Sequence, residues 1–183
     1  MDVSAAPIKG EKIKVVSFGG LNLQKGSNLL LDLIELDKKK YKRLEIHLLG
    51  SVANKKLKEN AVFHGEYYRD ELGTKLDAIK PNFSAIFSIW PETYCHTLTE
   101  SWAFGLPTLV TDIGTLRERV LKTDAGWLVD VKNVEEIYNK IINVFDNPEE
   151  YRRVKENVNK LKFPSTSDMS SQYYNIYVEL LPL

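Results

Sequence analysis

Two carboxylates stand where a loop runs into a helix, and they could bind one ligand between them. Glu92 and Glu100 lie eight residues apart in the segment SIWPETYCHTLTE, which follows an apolar run. Pro91 forces a turn, and a helix is predicted to begin within residues 95–97, where unpaired backbone amides attract phosphate. The spacing is equally compatible with a capping carboxylate and a surface glutamate.

A second candidate for an anion site follows the first predicted strand. The segment at residues 18–26 reads FGGLNLQKG. Gly19 and Gly20 allow a close backbone approach to a ligand, and a helix N-terminus comes next. Lys25 adds a mobile cation suited to phosphate. The segment contains neither the GK[ST] of a P-loop nor the GxGxxG of a dinucleotide site, so a plain strand-to-helix turn is the alternative.

Other chemistries have less support in the sequence. His47, His64 and His96 lack ligand spacing with Asp, Glu or Cys, and we therefore expect no metal. Cys95 beside His96 is a poor candidate for a nucleophile, because adjacent residues rarely face each other. Packing in the core, rather than stacking on a ligand, is expected for the aromatic residues Trp90, Trp102 and Trp127.

Strands and helices alternate over residues 13–145, which indicates βαβ units and a parallel sheet. Because ligands bind beyond the carboxyl ends of such strands, both candidate segments fall at the expected edge. Strands are predicted at residues 13–18, 44–49, 61–63, 83–89, 108–111 and 127–129. Helices are predicted at residues 28–36, 52–58, 69–79, 97–104, 116–121, 134–145, 149–161 and 169–181.

Composition limits the possible classes of protein. The 183 residues, 43% hydrophobic and 27% charged, are typical of one folded domain. Lys+Arg and Asp+Glu both number 25, which argues against a broad nucleic-acid surface. A single cysteine excludes an internal disulfide. No stretch approaches the ~20 apolar residues of a membrane span, and residues 1–10 lack a signal-peptide core, so a cytoplasmic location is expected.

One cluster of charge stands out, at residues 37–43 (DKKKYKR). Cations suit the negative pole of a helix dipole, so a solvated helix end explains the run. The alternative is peripheral contact with an anionic membrane surface at the inner face.

Several ordered motifs together resemble the C-terminal half of a GT-B glycosyltransferase, in the retaining group 1 (glycogen synthase-like, family four) set. The resemblance covers residues 13–145, and the helical tail is also as expected. The matching segments are GGLNLQKG (19–26) for G-R-L-x-x-x-K-G, residues 92–100 for E-x7-E, SWAFGLP (101–107) for small residues and G-x-P, TLVTDIGTLRE (108–118) for D-x-G and a glutamate, and GWLV (126–129) for G-x-L-V.

The resemblance implies an α/β fold: a Rossmann-like parallel sheet with helices on both faces, one half of a GT-B fold, plus C-terminal helices. It implies a leader or linker at residues 1–12, a donor-binding domain at 13–163, and a helix at 164–183 that returns towards a missing N-terminal acceptor domain. The substrates would be a UDP- or GDP-sugar and a saccharide or lipid-linked acceptor, in surface polysaccharide or glycoconjugate synthesis. Neither a cofactor nor a metal is expected, and the isolated domain should be inactive.

Roles for individual residues also follow from the resemblance. Lys25 would pair with the donor diphosphate, Glu100 would accept hydrogen bonds from the ribose, and Glu92, the catalytic position, would contact the transferred sugar. The implied donor-binding positions are Gly19, Gly20, Lys25, Tyr94, Cys95, His96, Thr97 and Glu100.

Two departures from the family pattern leave an alternative open. The phosphate-binding arginine of the family is Gly20 here, and the E-F-G segment of many relatives is replaced by ETYC at residues 92–95. An arginine–phosphate contact is charge-assisted, on the order of 1.5–3 kcal/mol. The alternative is a non-catalytic sugar-nucleotide-binding or interaction module with a decayed diphosphate site. An epimerase of the same fold lacks support.

Overall fold

The computed structural model describes residues 1–163 and 165–181. Their strands form one parallel sheet, which confirms the predicted Rossmann-like α/β fold. The strands are β1 (Ile13–Phe18), β2 (Leu44–Leu49), β3 (Val62–Phe63), β4 (Phe83–Ile86), β5 (Thr108–Thr111) and β6 (Gly126–Val129). Their order across the sheet is β3-β2-β1-β4-β5-β6.

Helices connect successive strands and then close the chain. They are α1 (Ser27–Lys39), α2 (Lys55–Asn60), α3 (Leu72–Ile79), α4 (His96–Ala103), α5 (Gly114–Thr123), α6 (Val134–Asp146), α7 (Pro148–Lys160) and α8 (Thr166–Leu180). Several predicted boundaries differ from the structure by up to three residues, and two of these differences bear on the site region. The helix expected at 52–58 begins at Lys55, because the Asn54 side chain caps it by accepting from the amide of Leu57. The strand expected at 83–89 ends at Ile86, before the loop that carries Glu92.

Both faces of the sheet are covered by helices. Successive residues of β1 point to opposite sides: Val15 belongs to the core beneath α1 and α6, and Val16 to the core beneath α3. A third apolar cluster packs α4 and α5 onto β4 and β5. Burial on both faces explains why the central strands are almost continuously apolar.

The strand order reverses between β1 and β4, which pair directly through Val15 and Phe83. A crevice opens outside the carboxyl ends of two strands at such a switch point, and ligands bind there. The two candidate segments from the sequence follow these two neighbouring strands. The fold therefore brings them together.

The N-terminal segment differs from our expectation of a leader or linker at residues 1–12. Val3 is fully buried, and its amide donates to the carbonyl of Phe104 at 3.1 Å. The amide of Ala5 donates to the carbonyl of Pro81 at 2.9 Å. Residues 2–5 thus pack as part of the domain, because their backbone groups and one apolar side chain find partners there.

The C-terminal part is described from Ser165 onward, so the expected domain boundary at Pro164 lies outside the described residues. The described side chains along α8 are exposed, including Tyr174, Tyr177 and Leu180. None of the helices among residues 1–163 and 165–181 has the length and apolar character needed to cross a membrane.

The charged run at residues 37–43 contains a buried acid that the sequence did not reveal. Asp37 accepts from the amides of Arg43 and Leu44, at 2.8 and 3.1 Å, and from the Tyr138 hydroxyl at 3.2 Å. The Arg43 guanidinium pairs with both carboxylate oxygens of Asp146 at 2.7 Å. The run is therefore only partly a solvated helix end. Asp37 connects α1 to the start of β2 and to Tyr138 of α6, and Arg43 connects the run to Asp146 at the end of α6.

Asp37→Ala should lower the free energy of unfolding by about 2–3 kcal/mol, because it leaves buried donors without an acceptor. Urea denaturation followed by circular dichroism measures this change. Asp32→Ala is the matched control, since Asp32 is exposed on the same helix. Equal stability of the two variants would contradict a structural role for Asp37.

Candidate functional site

The loops that follow β1 and β4 are fastened to each other. The amide of Ile89 donates to the carbonyl of Gln24 at 2.9 Å. Gly26 has φ +75°, and a Cβ atom there would collide with the carbonyl oxygen of Phe87. Only glycine combines this backbone conformation with so close an approach. The two loops consequently form one rigid edge of the crevice.

The end of β5 and the start of α5 support the same edge from the other side. The Thr111 hydroxyl donates to the carbonyl of Ser88 at 2.6 Å. A Cβ atom on Gly114 would lie 3.2 Å from that of Pro91. Pro91 therefore packs against the start of α5, and Glu92 follows a segment with little freedom to move.

Lys25 and Glu92 form an ion pair across the two loops, with Nζ 2.7 Å from Oε1. The Ser88 hydroxyl also donates to this carboxylate. Burial on its own would raise the pKa of Glu92, but hydrogen bonds from Lys25, Ser88 and Cys95 outweigh burial and lower it. Glu92 is therefore ionised at neutral pH, and its contribution to stability is lost as the pH falls through this lowered pKa.

Cys95 is buried, and burial, with the neighbouring Glu92 charge, raises the pKa of its thiol to about 11. The thiol is neutral at physiological pH, which argues against a nucleophile. The backbone of Cys95 is left-handed, with φ 63°, and α4 begins at the next residue. Within the described residues, no side chain caps this helix, so its first amides are open to an anion.

Arg119 holds this turn, although no sequence motif pointed to this residue. The guanidinium donates to the carbonyls of Tyr94 and Cys95, at 2.8 and 3.1 Å, and to the Thr99 hydroxyl at 2.8 Å. It also lies over the Tyr94 ring, 4.6 Å from the centroid. These contacts keep the two carbonyls turned towards α5. No motif links α5 with the loop before α4, so only the fold could reveal Arg119.

A cavity of about 570 Å³ contains three predicted positions: Gly19, His96 and Glu100. Gly19 has φ +101°, and a Cβ atom there would contact the Thr97 hydroxyl at 3.6 Å. The Glu100 carboxylate lies 3.4 Å from Nε of Arg69. The first amides of α4 and the Glu100 carboxylate thus belong to one site.

Residues from the loops after β2 and β3 complete this cavity, and the sequence analysis did not select them. A glycine shortly after a predicted strand, Gly65 after β3, could have indicated a ligand-binding loop there. Its carbonyl accepts from the amide of Gly50 at 2.8 Å, which joins the two loops. The residues missed are Gly50, Ser51, Glu66, Tyr67 and Arg69.

The remaining predicted positions lie close by but not in the same cavity. Lys25 and Glu92 line a smaller cavity of about 270 Å³. Gly20 lines a third cavity of about 440 Å³, and its φ is not positive. A Cβ atom on Gly20 would meet the Ser51 hydroxyl at 3.7 Å, an ordinary contact. Tyr94 is exposed and stacks under Arg119.

The expectation for the tryptophans was wrong at one position. Trp102 and Trp127 are buried and donate to the Ala125 carbonyl and the Glu150 carboxylate. Trp90, however, is 69% exposed and lines the smaller cavity. It escapes the core because it belongs to the loop after β4 and not to the strand.

The histidines form contacts of their own. Nδ1 of His47 lies 2.9 Å from Nε2 of His64, and Nε2 of His47 lies 2.7 Å from the Glu45 carboxylate. Within residues 1–163 and 165–181, no group of three or more His, Cys, Asp or Glu side chains is arranged to hold a metal.

Solved structures with the same architecture come from longer proteins. HepE of Anabaena, crystallised with UDP and glucose, matches with a TM-score of 0.72 and 18% identity over 94% of this chain and 49% of its own. Sucrose-phosphate synthase of Thermosynechococcus elongatus matches with a TM-score of 0.71 and 19% identity, over 93% of this chain and 46% of its own. TarM of S. aureus matches with a TM-score of 0.66 and 20% identity, over 97% of this chain and 38% of its own. The chain spans about half of these proteins or less.

A search of curated protein sequences finds no significant match. The family model for the glycosyl transferases of group 1, in contrast, matches residues 2–161. That match includes the loops after β1 and β4 and all the lining residues of the 570, 440 and 270 Å³ cavities. This chain belongs to the group 1 glycosyl transferases.

Proposed function

We propose that this chain binds the nucleotide-sugar donor of a retaining glycosyltransferase. The observation that carries the proposal is the open N-terminus of α4, which contributes His96 and Glu100 to the larger cavity and is preceded by the loop that contributes Glu92 to the smaller one. Glu100 would accept hydrogen bonds from the ribose in the larger cavity, and Glu92 would contact the transferred sugar in the smaller one. HepE was crystallised with UDP and glucose, which supports a UDP-sugar, and GDP-sugars stay open.

The diphosphate would lie between the two cavities, at the amides of Cys95, His96 and Thr97. A helix N-terminus favours negative charge, and donors fixed in advance stabilise the charge that develops on a leaving nucleoside diphosphate. Lys25 would turn its remaining donors to the diphosphate while it stays near Glu92. These groups supply positive charge without a metal.

The acceptor would be bound by a second domain. The solved relatives are two to three times longer than the aligned part, and α8 presents exposed apolar side chains that such a domain could cover. We propose a saccharide or lipid-linked acceptor, in polysaccharide or glycoconjugate synthesis in the cytoplasm or at the inner face of the membrane. The last helix would return towards that domain.

A second candidate, a non-catalytic sugar-nucleotide-binding or interaction module, is favoured by one observation. Gly20 offers no cation, and the Lys25 charge is already paired with Glu92. If this pair never opens to a diphosphate, the Lys25 charge stays neutralised by Glu92 and contributes little to diphosphate binding. Nucleotide affinity therefore separates a donor site from an interaction module whose diphosphate site has decayed, and transfer by the full-length protein separates a transferase from a non-catalytic binding module.

Glu100→Ala should weaken UDP or GDP binding by roughly tens to a hundredfold, because the ribose loses a charged hydrogen-bond acceptor. Calorimetric titration measures the affinity. Glu149→Ala is the control, since Glu149 is exposed on α7 and lies outside every segment that matches a family motif. Unchanged affinity in a folded Glu100 variant would sink the assignment of the ribose site.

Lys25→Met should weaken binding of the diphosphate about tenfold, with little effect on the nucleoside, because one charge-assisted contact is lost. Gly20→Arg should tighten diphosphate binding, since a side chain fits at Gly20. Both are measured by titration with UDP or GDP against uridine or guanosine. Equal losses for nucleotide and nucleoside in Lys25→Met would show that Lys25 is structural.

The 183-residue chain should bind a donor yet transfer no sugar, because transfer needs an acceptor held at the anomeric carbon and water excluded by closure. Product formation from labelled UDP-glucose or GDP-mannose, with mono- and oligosaccharide acceptors added, measures this. Slow hydrolysis of the donor is compatible with an open site. Efficient transfer by the chain alone would refute the half-enzyme proposal.

A further inference from the structure

Trp90 is displayed to solvent at the mouth of the smaller cavity. It is 69% exposed, whereas the other two tryptophans are 3% and 4% exposed. Leu23, Ile89 and Tyr94 are also exposed in the loops after β1 and β4. Scattered exposed apolar residues are normal on a surface. Trp90 differs from these three residues because it lines a cavity.

The backbone that carries Trp90 is held on both sides. Ile89 is hydrogen-bonded to Gln24, and the carbonyl of Ser88 accepts from Thr111. Pro91 packs against Gly114 and restricts the backbone of the residue that precedes it. The indole is therefore presented by a firm support, which lowers the entropy lost when a ligand stacks on it.

The cavity suits a single sugar ring. Its volume is about 270 Å³, just below the range of about 300–1,000 Å³ for drug-sized ligands, and the neighbouring 570 Å³ cavity has room for a nucleoside. The lining combines one large aromatic face with polar groups that can bind hydroxyls. The lining residues are Gln24, Lys25, Ser88, Trp90 and Glu92.

A pyranose has the matching chemistry. One face of the ring can present C–H groups, which suit the negative face of an aromatic ring, while hydroxyls project at its edge. The Glu92 carboxylate accepts hydrogen bonds from such hydroxyls, and the Gln24 amide both donates and accepts. A flat apolar platform beside these groups favours a neutral hexopyranose over a ring that carries charge on that face.

We propose that Trp90 is the stacking platform for the hexopyranose of the donor and thereby contributes to the selection of the transferred sugar. The inference rests on the proposed function and adds to it a residue that contacts the sugar but not the nucleotide. Trp90 should therefore increase the affinity for a nucleotide-sugar and leave the affinity for the nucleoside diphosphate unchanged.

The test compares UDP and GDP with UDP-glucose and GDP-mannose in calorimetric titrations of the 183-residue chain. Trp90→Ala should weaken binding of the nucleotide-sugar roughly three- to tenfold and leave the nucleoside diphosphate within about twofold. Trp90→Phe should recover part of the loss. Tyr41→Ala is the matched control, because Tyr41 is an exposed aromatic residue at the opposite edge of the sheet, before β2.

A second readout needs no variant. In the wild-type chain, nucleotide-sugar should protect tryptophan fluorescence from acrylamide, and nucleoside diphosphate should not, since Trp90 is the accessible indole. If nucleoside diphosphate binds but Trp90→Ala affects both ligands equally, or neither, the inference is overturned while the proposed function stands. If no nucleotide binds, the proposed function fails and this inference fails with it.

Discussion

An ion pair between Lys25 and Glu92 joins the two loops on which the site depends. Lys25 comes from the loop after β1 and Glu92 from the loop after β4, and these strands are neighbours in the sheet. The Ile89–Gln24 hydrogen bond and the close approach at Gly26 hold the same junction. The pair gives each loop a partner and leaves Lys25 next to the position where a diphosphate would lie.

The second constraint is the left-handed turn at Cys95, which starts α4 without a side-chain cap among the described residues. Arg119 satisfies the carbonyls of that turn, so its amides are left for an anion. The carbonyls of Tyr94 and Cys95 are thus occupied by Arg119 of α5, whereas the first amides of α4 have no side-chain cap among the described residues. A helix N-terminus exposed in this way favours phosphate by charge and by hydrogen bonding.

Much of the fold was predictable because the strands that build it are short, β-branched and separated by glycine or proline. The strands at 13–18, 44–49 and 108–111 have their predicted bounds. Candidate positions could be selected from the sequence only where a motif lies within one continuous segment, as for Lys25, Glu92 and Glu100. Arg119, Arg69 and the exposure of Trp90 depend on which loops meet in space, and local spacing carries no information about that. Whether the matched positions bind a donor stays a prediction.

We propose that the start of α4, Lys25 and the Glu100 cavity form one nucleoside diphosphate site. Amide chemical-shift mapping of the isotope-labelled chain, titrated with UDP and GDP, tests it most directly. We expect the largest shifts at Gly19, at Cys95, His96 and Thr97, and in the loop after β3. Largest shifts at the opposite edge of the sheet, in the cavity lined by Lys12 and Asp37, would contradict the claim.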